Sequence, residues 1–232
     1  NNVPRTDDQE TIYLQPHEKC LSDKKTQALN FHTIEIESNK IEACRLVQPI
    51  GKKYIVVNPP HSPFTQEELD SYYELPYMRV PHPKYTKRGA IPAYEMIKFS
   101  VNIHRGCFGG CSFCAISSHQ GKFIMSRSED SILTEVKQLT QMEELKGYLS
   151  DLGGPSANMY KMSGKNSELC AKCSRYSCIH ASICKNMNTG HSTLLQLYKK
   201  VDQLPKIKKS FIGSGIRYDL LLQETADEKA KI

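Results

Sequence analysis

Apolar and polar positions change rhythm several times along this chain. Residues 1–30 are polar and show no clear period. The stretch from Phe31 to Val47, FHTIEIESNKIEACRLV, alternates well enough to predict a β-hairpin with Ser38-Asn39 in its turn. Tyr54–Val57 is continuously apolar and predicts a buried strand that stops at Pro59-Pro60. Thr65, with Glu68 three residues on, has the signature of a capping box and predicts a short helix through LDSYY. The proline-rich residues 76–92 predict an extended, ordered linker.

Past this linker the pattern becomes regular. Met96–Ile103 alternates, with Ile97, Phe99, Val101 and Ile103 on one side, and predicts a strand. Ser126 or Ser128 caps the helix that follows, Glu129 and Asp130 occupy its first turn, and Ile132, Val136 and Leu139 form its apolar face. GYLSDLGG predicts a second strand, Ser192–Leu204 a second helix, and KSFIGSG a third strand. Strand, loop and helix repeated in this way imply βαβ units. The fold class expected is therefore α/β: a partial TIM-like (β/α) barrel with its first three βα strands, preceded by a small α+β lead-in. The lead-in is expected over 1–92, the barrel half over 93–232, and a cysteine-rich insertion over 164–190. Three strands cannot close a barrel, so the protein is expected to continue past residue 232. Ligands of such folds gather at the carboxyl ends of the strands. That edge would collect Cys107–Cys114, Gly153-Gly154 and Gly213–Gly215.

Composition narrows the class. Hydrophobic residues are 39% and charged residues 24% of 232, a globular balance. A net charge of +6, spread along the chain, permits a nucleic-acid partner without demanding one. No run approaches the roughly 18 apolar residues that span a bilayer. Most of the nine cysteines fall into two tight groups, a pattern of metal binding in a reducing cytoplasm rather than of a disulfide scaffold.

The first group lies in RGCFGGCSFC, at Cys107, Cys111 and Cys114. A structural zinc site closes with four ligands, whereas three thiolates leave one position open. A [4Fe–4S] cubane held by three cysteines has one iron free for another ligand. Gly106, Gly109 and Gly110 provide the permissive backbone such wrapping needs. A zinc site completed by His104 or His119, or three packed thiols, are the alternatives on spacing alone.

The motif Cys107-x3-Cys111-x2-Cys114, with Phe113 before the third cysteine, resembles the signature of radical S-adenosylmethionine (SAM) enzymes. The runs VNIHRGCFGGCSFCAIS, YLSDLGGPSANMY and FIGSGIRYDLLL resemble the YgiQ-type family within that superfamily, over roughly residues 30–222. The resemblance implies a [4Fe–4S] cluster on Cys107, Cys111 and Cys114. It further implies bound SAM, cleaved to a 5′-deoxyadenosyl radical that acts on an unknown substrate, and an electron donor such as flavodoxin or ferredoxin. Phe113 would border the adenine, and Gly153 and Gly154 would admit the SAM amino group. The third residue of the glycine motif is Pro155, not the commoner glutamate, so no side-chain contact is expected there. Gly213, Ser214 and Gly215 would line the same cavity or simply form a tight βα turn. Arg127 would pair with the SAM carboxylate or, as the better reading, lie on the surface. Asp151 would contact SAM or, as the better reading, be a buried polar support beside the glycines. Catalytic residues beyond these are not assigned, and without the later strands the chain itself is expected to bind SAM poorly.

The second group, LCAKCSRYSCIHASIC, places Cys170, Cys173, Cys178 and Cys184 in one stretch, with His180 and His191 as spare ligands. Four thiols suit zinc or a second iron–sulfur cluster equally; merely packed thiols are the remaining alternative. Cys20 and Cys44 read as ordinary thiols. The basic runs at Lys206–Ser210 and Tyr85–Gly89 have no interleaved aromatics, so nucleic acid is the less favoured partner. The reading is thus a cytoplasmic radical SAM enzyme; the alternative is a non-catalytic zinc or iron–sulfur module that contacts RNA.

Overall fold

The computed structural model describes residues 10–223. In chain order its elements are β1 (Thr11–Tyr13), α1 (His17–Ser22), α2 (Lys24–Ser38), β2 (Arg45–Ile50), β3 (Lys53–Val57), α3 (Gln66–Tyr73), α4 (Pro92–Ile97), β4 (Ser100–Asn102) and β5 (His104–Arg105). Then come α5 (Ile116–Gln120), β6 (Met125–Ser126), α6 (Glu129–Leu139), β7 (Tyr148–Leu149), β8 (Asp151–Gly153), α7 (Ser167–Ala171), α8 (Ser192–Asp202), β9 (Lys209–Ser210) and α9 (Tyr218–Leu221). They form two units. One holds the residues up to Pro63 with Phe108–Lys122 and Gly164–Asn186; the other holds Phe64–Cys107, Phe123–Ser163 and the residues from Met187 on.

In the first unit β1 runs parallel to β2, and β2 pairs antiparallel with β3. The hairpin expected over 31–47 is replaced by the last half of α2. Asp23 starts this helix by accepting the amides of Lys25 and Thr26, each at 3.1 Å. The buried Asn30 then clips it to Gln15 through two 2.9 Å hydrogen bonds. The alternation of Ile34 and Ile36 does not set a strand, because the capped turn upstream carries the helix through them. Glu37 turns the chain afterwards, accepting the Cys44 amide at 2.8 Å, and β2 begins only at Arg45. β3 is a strand as expected but not a buried one: Tyr54, Ile55, Val56 and Val57 are all exposed on an edge of the three-stranded sheet.

The second unit has the apolar core. Val101 and Ile103 from the β4 segment, Ile132, Val136 and Leu139 from α6, Leu149 and Leu152 from the β7–β8 segment, and Leu194, Leu197 and Val201 from α8 bury together. β4 runs parallel to β8, with Ser100 opposite Asp151 and Asn102 opposite Gly153. β7 runs parallel to β9, with Tyr148 opposite Lys209. The expected βα pattern is therefore present as a mixed α/β arrangement, with no closed barrel among the described residues. The first expected strand is shorter than its alternation suggests. Pro92 opens α4, which takes Met96 and Ile97, and both are exposed. Thr65 and Glu68 do form a reciprocal capping box on α3, and Ser128 caps α6 by accepting the Ser131 amide.

Arg127, expected at the surface, is 1% exposed. Its guanidinium pairs with Glu135, donates to Ser131 Oγ at 2.8 Å and to the Asn102 carbonyl at 2.9 Å, and lies 4.1 Å over the Tyr73 ring. Arg79 engages the other Glu135 oxygen. Burial lowers the Arg127 pKa to about 10, so the guanidinium stays charged and depends on Glu135. Removing one partner of a buried pair leaves the other uncompensated. Glu135→Ala should destabilise the fold by about 3–5 kcal/mol, read from the urea midpoint, whereas loss of the exposed pair by Lys200→Ala should cost less than about 1 kcal/mol.

Candidate functional site

The three cysteines of the first group follow β5 on a loop whose backbone is shaped by glycine. Gly106 has φ of 89°, and a Cβ there would overlap the Phe123 carbonyl. Gly110 has φ of 60°, and a Cβ would stand 2.6 Å from the Tyr176 carbonyl. Only glycine satisfies both demands without strain. Cys107, Cys111 and Cys114 form no disulfide and are of intermediate exposure. The Cys114 amide donates to the Cys111 carbonyl at 3.0 Å, so the last two sit on one turn. Phe113 is 91% exposed. Among the described residues no three His, Cys, Asp or Glu side chains converge to hold a metal ion as they stand. The donor set nevertheless fits an iron–sulfur cluster: three thiols outside any disulfide and of intermediate exposure, on an irregular loop able to close around it.

Gly153 and Gly154 end β8, and the structure draws Gly213 and Ser214 to them through Asp151. Asp151 Oδ1 accepts the Gly213 amide at 2.8 Å, the Ser214 amide at 3.1 Å and the Ser214 hydroxyl at 3.1 Å. A side chain at Gly153 would overlap Ser214 Oγ, and one at Gly154 would meet the His104 ring at 2.6 Å. Gly215 is likewise bonded, its carbonyl accepting the Ala157 amide at 3.0 Å.

Two of the histidines offered as alternative or spare ligands have well-defined surroundings. His191 is buried and faces Asn158 Nδ2 at 3.1 Å. His191 therefore serves the fold of the PSANM segment. His104 is fully buried, and neither ring nitrogen has a hydrogen-bond partner among the described residues. Its spacing from the cysteines offered a zinc-ligand role as one alternative; alternation with the buried Ile103 would have put it on the side of the exposed Asn102, so its burial against Gly154 was not readable from the pattern. His180 is exposed and tilts over Tyr176, ring centroids 6.1 Å apart.

In the second group, Cys170, Cys173, Cys178 and Cys184 are free and of intermediate exposure. Burial raises the Cys178 thiol to about 11, with the neighbouring Lys122 ammonium opposing that rise. Sequence reasoning missed one further feature of the second unit, a cavity of about 660 Å³ lined by Phe64, Tyr72, Tyr73, Tyr77, Arg79 and Arg105 among others. Its aromatics are scattered over Phe64–Tyr77 without a period that would mark them.

Comparison with known proteins now bears on these residues. Residues 2–100 match the model of the Radical SAM N-terminal family. A UPF0313 protein of Bacteroides thetaiotaomicron is 63% identical over 225 residues, 97% of this chain and 36% of the relative. A UPF0313 protein of Porphyromonas gingivalis is 58% identical over 219 residues, 94% of this chain and 34% of the relative. The UPF0313 protein YgiQ of Salmonella typhimurium is 45% identical over 214 residues, 92% of this chain and 30% of the relative.

This chain belongs to the UPF0313, YgiQ-type radical SAM family.

It spans about a third of the length of these UPF0313 relatives, as their 36%, 34% and 30% coverage shows. No solved structure matches it. No helix among the described residues is long and apolar enough to cross a membrane.

The buried His104 carries a pH prediction for this UPF0313 chain. Burial holds its pKa at about 4, below the ordinary 6.5. The unfolded chain therefore binds a proton that the folded one refuses as pH falls from 6.5 towards 4, and stability drops through that window. The loss accumulates to roughly 3 kcal/mol. His104→Leu should flatten this part of a urea-denaturation series against pH; an unchanged slope would show that His104 is not the titrating group.

Proposed function

We propose that this chain is the activation half of a radical SAM enzyme, its parallel strand pairs being the opening strands of a (β/α) barrel. Cys107, Cys111 and Cys114 would hold a [4Fe–4S] cluster, three ligands leaving one iron available to SAM. When bound, the reduced cluster supplies the one-electron chemistry that converts SAM to a 5′-deoxyadenosyl radical. The residues of this chain bind and orient. The thiols are the ligands, Gly106 and Gly110 bend the loop, and Gly153 and Gly154 leave room for the SAM amino group. Asp151 fixes the Gly213-Ser214 turn beside them, so that turn is a support whose amides are already taken. Phe113 covers the adenine from the cysteine loop. The substrate and the cytoplasmic electron donor, a flavodoxin or ferredoxin, act on the whole protein.

The observation that carries this reading is the Cys107-x3-Cys111-x2-Cys114 spacing on a glycine-bent loop directly after β4 and β5, in a chain of this family. The RNA-binding zinc module has no comparable support.

Anaerobic reconstitution of the full-length protein with iron, sulfide, SAM and a reductant should yield 5′-deoxyadenosine, measured by chromatography. Cys111→Ala should reduce it by at least about a hundredfold, since an undercoordinated cluster loses its site. Wild-type protein that makes none, or a variant that makes as much, would overturn the reading.

A further inference from the structure

We propose that Cys170, Cys173, Cys178 and Cys184 form a second thiolate-bound metal centre, and that this centre fixes the segment carrying Cys111 and Cys114. The site stands on its own loop; the value of fixing that segment rests on the proposed function.

Gly164–Asn186 is too long and too polar to hold itself by apolar packing. It contains one helix, the five-residue α7, and buries only Ser177 and Ile179. Irregular segments of this length inside a folded unit need another source of order, and a metal cross-link is one. The loop also arranges its cysteines as a ligand set. The Cys173 amide donates to the Cys170 carbonyl at 3.1 Å, which puts the C-x2-C pair on one bend. The Cys184 amide donates to the Cys178 carbonyl at 2.7 Å, closing a second bend on the first. Cys178 lies within electrostatic reach of the other three thiols and of Lys122. Cys170 Sγ is held in place, accepting from Asn186 Nδ2 at 3.3 Å against Gly164, where any side chain would overlap the sulfur.

Charge agrees. Lys122 is 3% exposed, and its ammonium donates to the Cys173 carbonyl at 3.0 Å and the Arg175 carbonyl at 2.8 Å. A buried cation within electrostatic reach of the Cys178 thiol suits a centre whose thiolates outnumber the charge of the metal. The final approach of the sulfurs is made on binding, as is usual where the metal orders its own loop. The chemistry is that of a thiophilic centre, one zinc ion or one iron–sulfur cluster.

The same loop is bolted to the first cysteine loop. Ser177 Oγ donates to the Gly109 carbonyl at 2.8 Å, and the Cys178 amide donates to the Phe108 carbonyl at 3.0 Å. Gly110 lacks a side chain where Tyr176 passes. Ordering Cys178 therefore orders Phe108–Gly110, immediately before Cys111.

Full-length protein purified without oxygen, with Cys107, Cys111 and Cys114 all changed to Ala, should retain about one zinc or about four iron with sulfide per chain. Adding Cys178→Ser and Cys184→Ser should remove it. In otherwise wild-type protein Cys178→Ser should speed amide exchange at 108–110 by about tenfold or more. Either metal supports the centre and distinguishes its kind. A folded triple variant with neither metal, or metal unchanged by the two serines, overturns it; unchanged exchange at 108–110 overturns the bracing. Should the triple variant misfold, wild-type metal content decides: iron for one cluster and no zinc overturns the proposal, and zinc or a second set of iron supports it. Failure of the proposed function reads differently, as wild-type protein without 5′-deoxyadenosine production whatever the second centre holds.

Discussion

The parallel pairing of β4 with β8 is the constraint on which the second unit depends. Its last rung is the Ile103 amide donating to the Gly153 carbonyl at 2.8 Å. That bond places the end of the glycine motif beside the strand that leads, through β5, to Cys107. Parallel strands need a crossover of a dozen or more residues, and here α6 supplies it. The helix earns its place by burying Ile132, Val136 and Leu139 against the same strands. Gly153 and Gly154 then face Asp151, Ser214 and His104 too closely for any Cβ. Backbone pairing, core packing and the glycine motif are one arrangement seen at three scales.

Around it, polar groups are buried only where each is answered. Asn158 Oδ1 accepts the Arg217 amide at 2.8 Å, and its Nδ2 donates to the Arg217 carbonyl at 2.9 Å. One side chain thus mimics a strand partner and closes the loop after β9 onto the PSANM segment. Arg127 does the same work with charge, tying the Asn102 carbonyl to Ser131 and Glu135 on α6. Such groups are costly when half-satisfied and specific when fully satisfied. His104 is the exception, a buried imidazole with no partner among the described residues. Its neutrality keeps that cost tolerable.

Much of this was legible in the chain, and the limits have physical causes. Ser128 and Thr65 were readable because a cap is local: a hydroxyl with acidic residues in the turn that follows, Glu129 and Asp130 after Ser128 and Glu68 after Thr65. The α6 and α8 faces were readable because their period is repeated over three turns. Residues 31–38 misled because Ile34 and Ile36 alternate over a span shorter than the helix that contains them, while the deciding residue, Asp23, lies eight positions upstream of Phe31. Burial of Tyr54–Val57 was unreadable because an apolar run specifies a strand and not what covers it. Arg127 was misplaced since its partner Glu135 comes two turns later, and nothing local marks a charge as paired. The cysteine loop was the clearest feature, because ligand spacing is written directly in sequence.

The two units solve the same stability problem by different means. The second unit joins elements distant in sequence through a continuous apolar cluster, and so needs no ligand to keep β4, β8 and α6 in register. In the cysteine-bearing parts of the first unit, Phe108 and Ile179 are buried but the ties are otherwise polar: Ser177 to Gly109, Lys122 to Cys173, and Asn186 to Asn166 at 2.9 Å. Each such bond contributes about 1 kcal/mol net, while each ordered residue costs about as much or more in backbone entropy. A loop held this way sits near balance. That is a poor design for a core and a suitable one for residues that must close around a bound group, because the free energy of metal–thiolate bonds then becomes the free energy of folding.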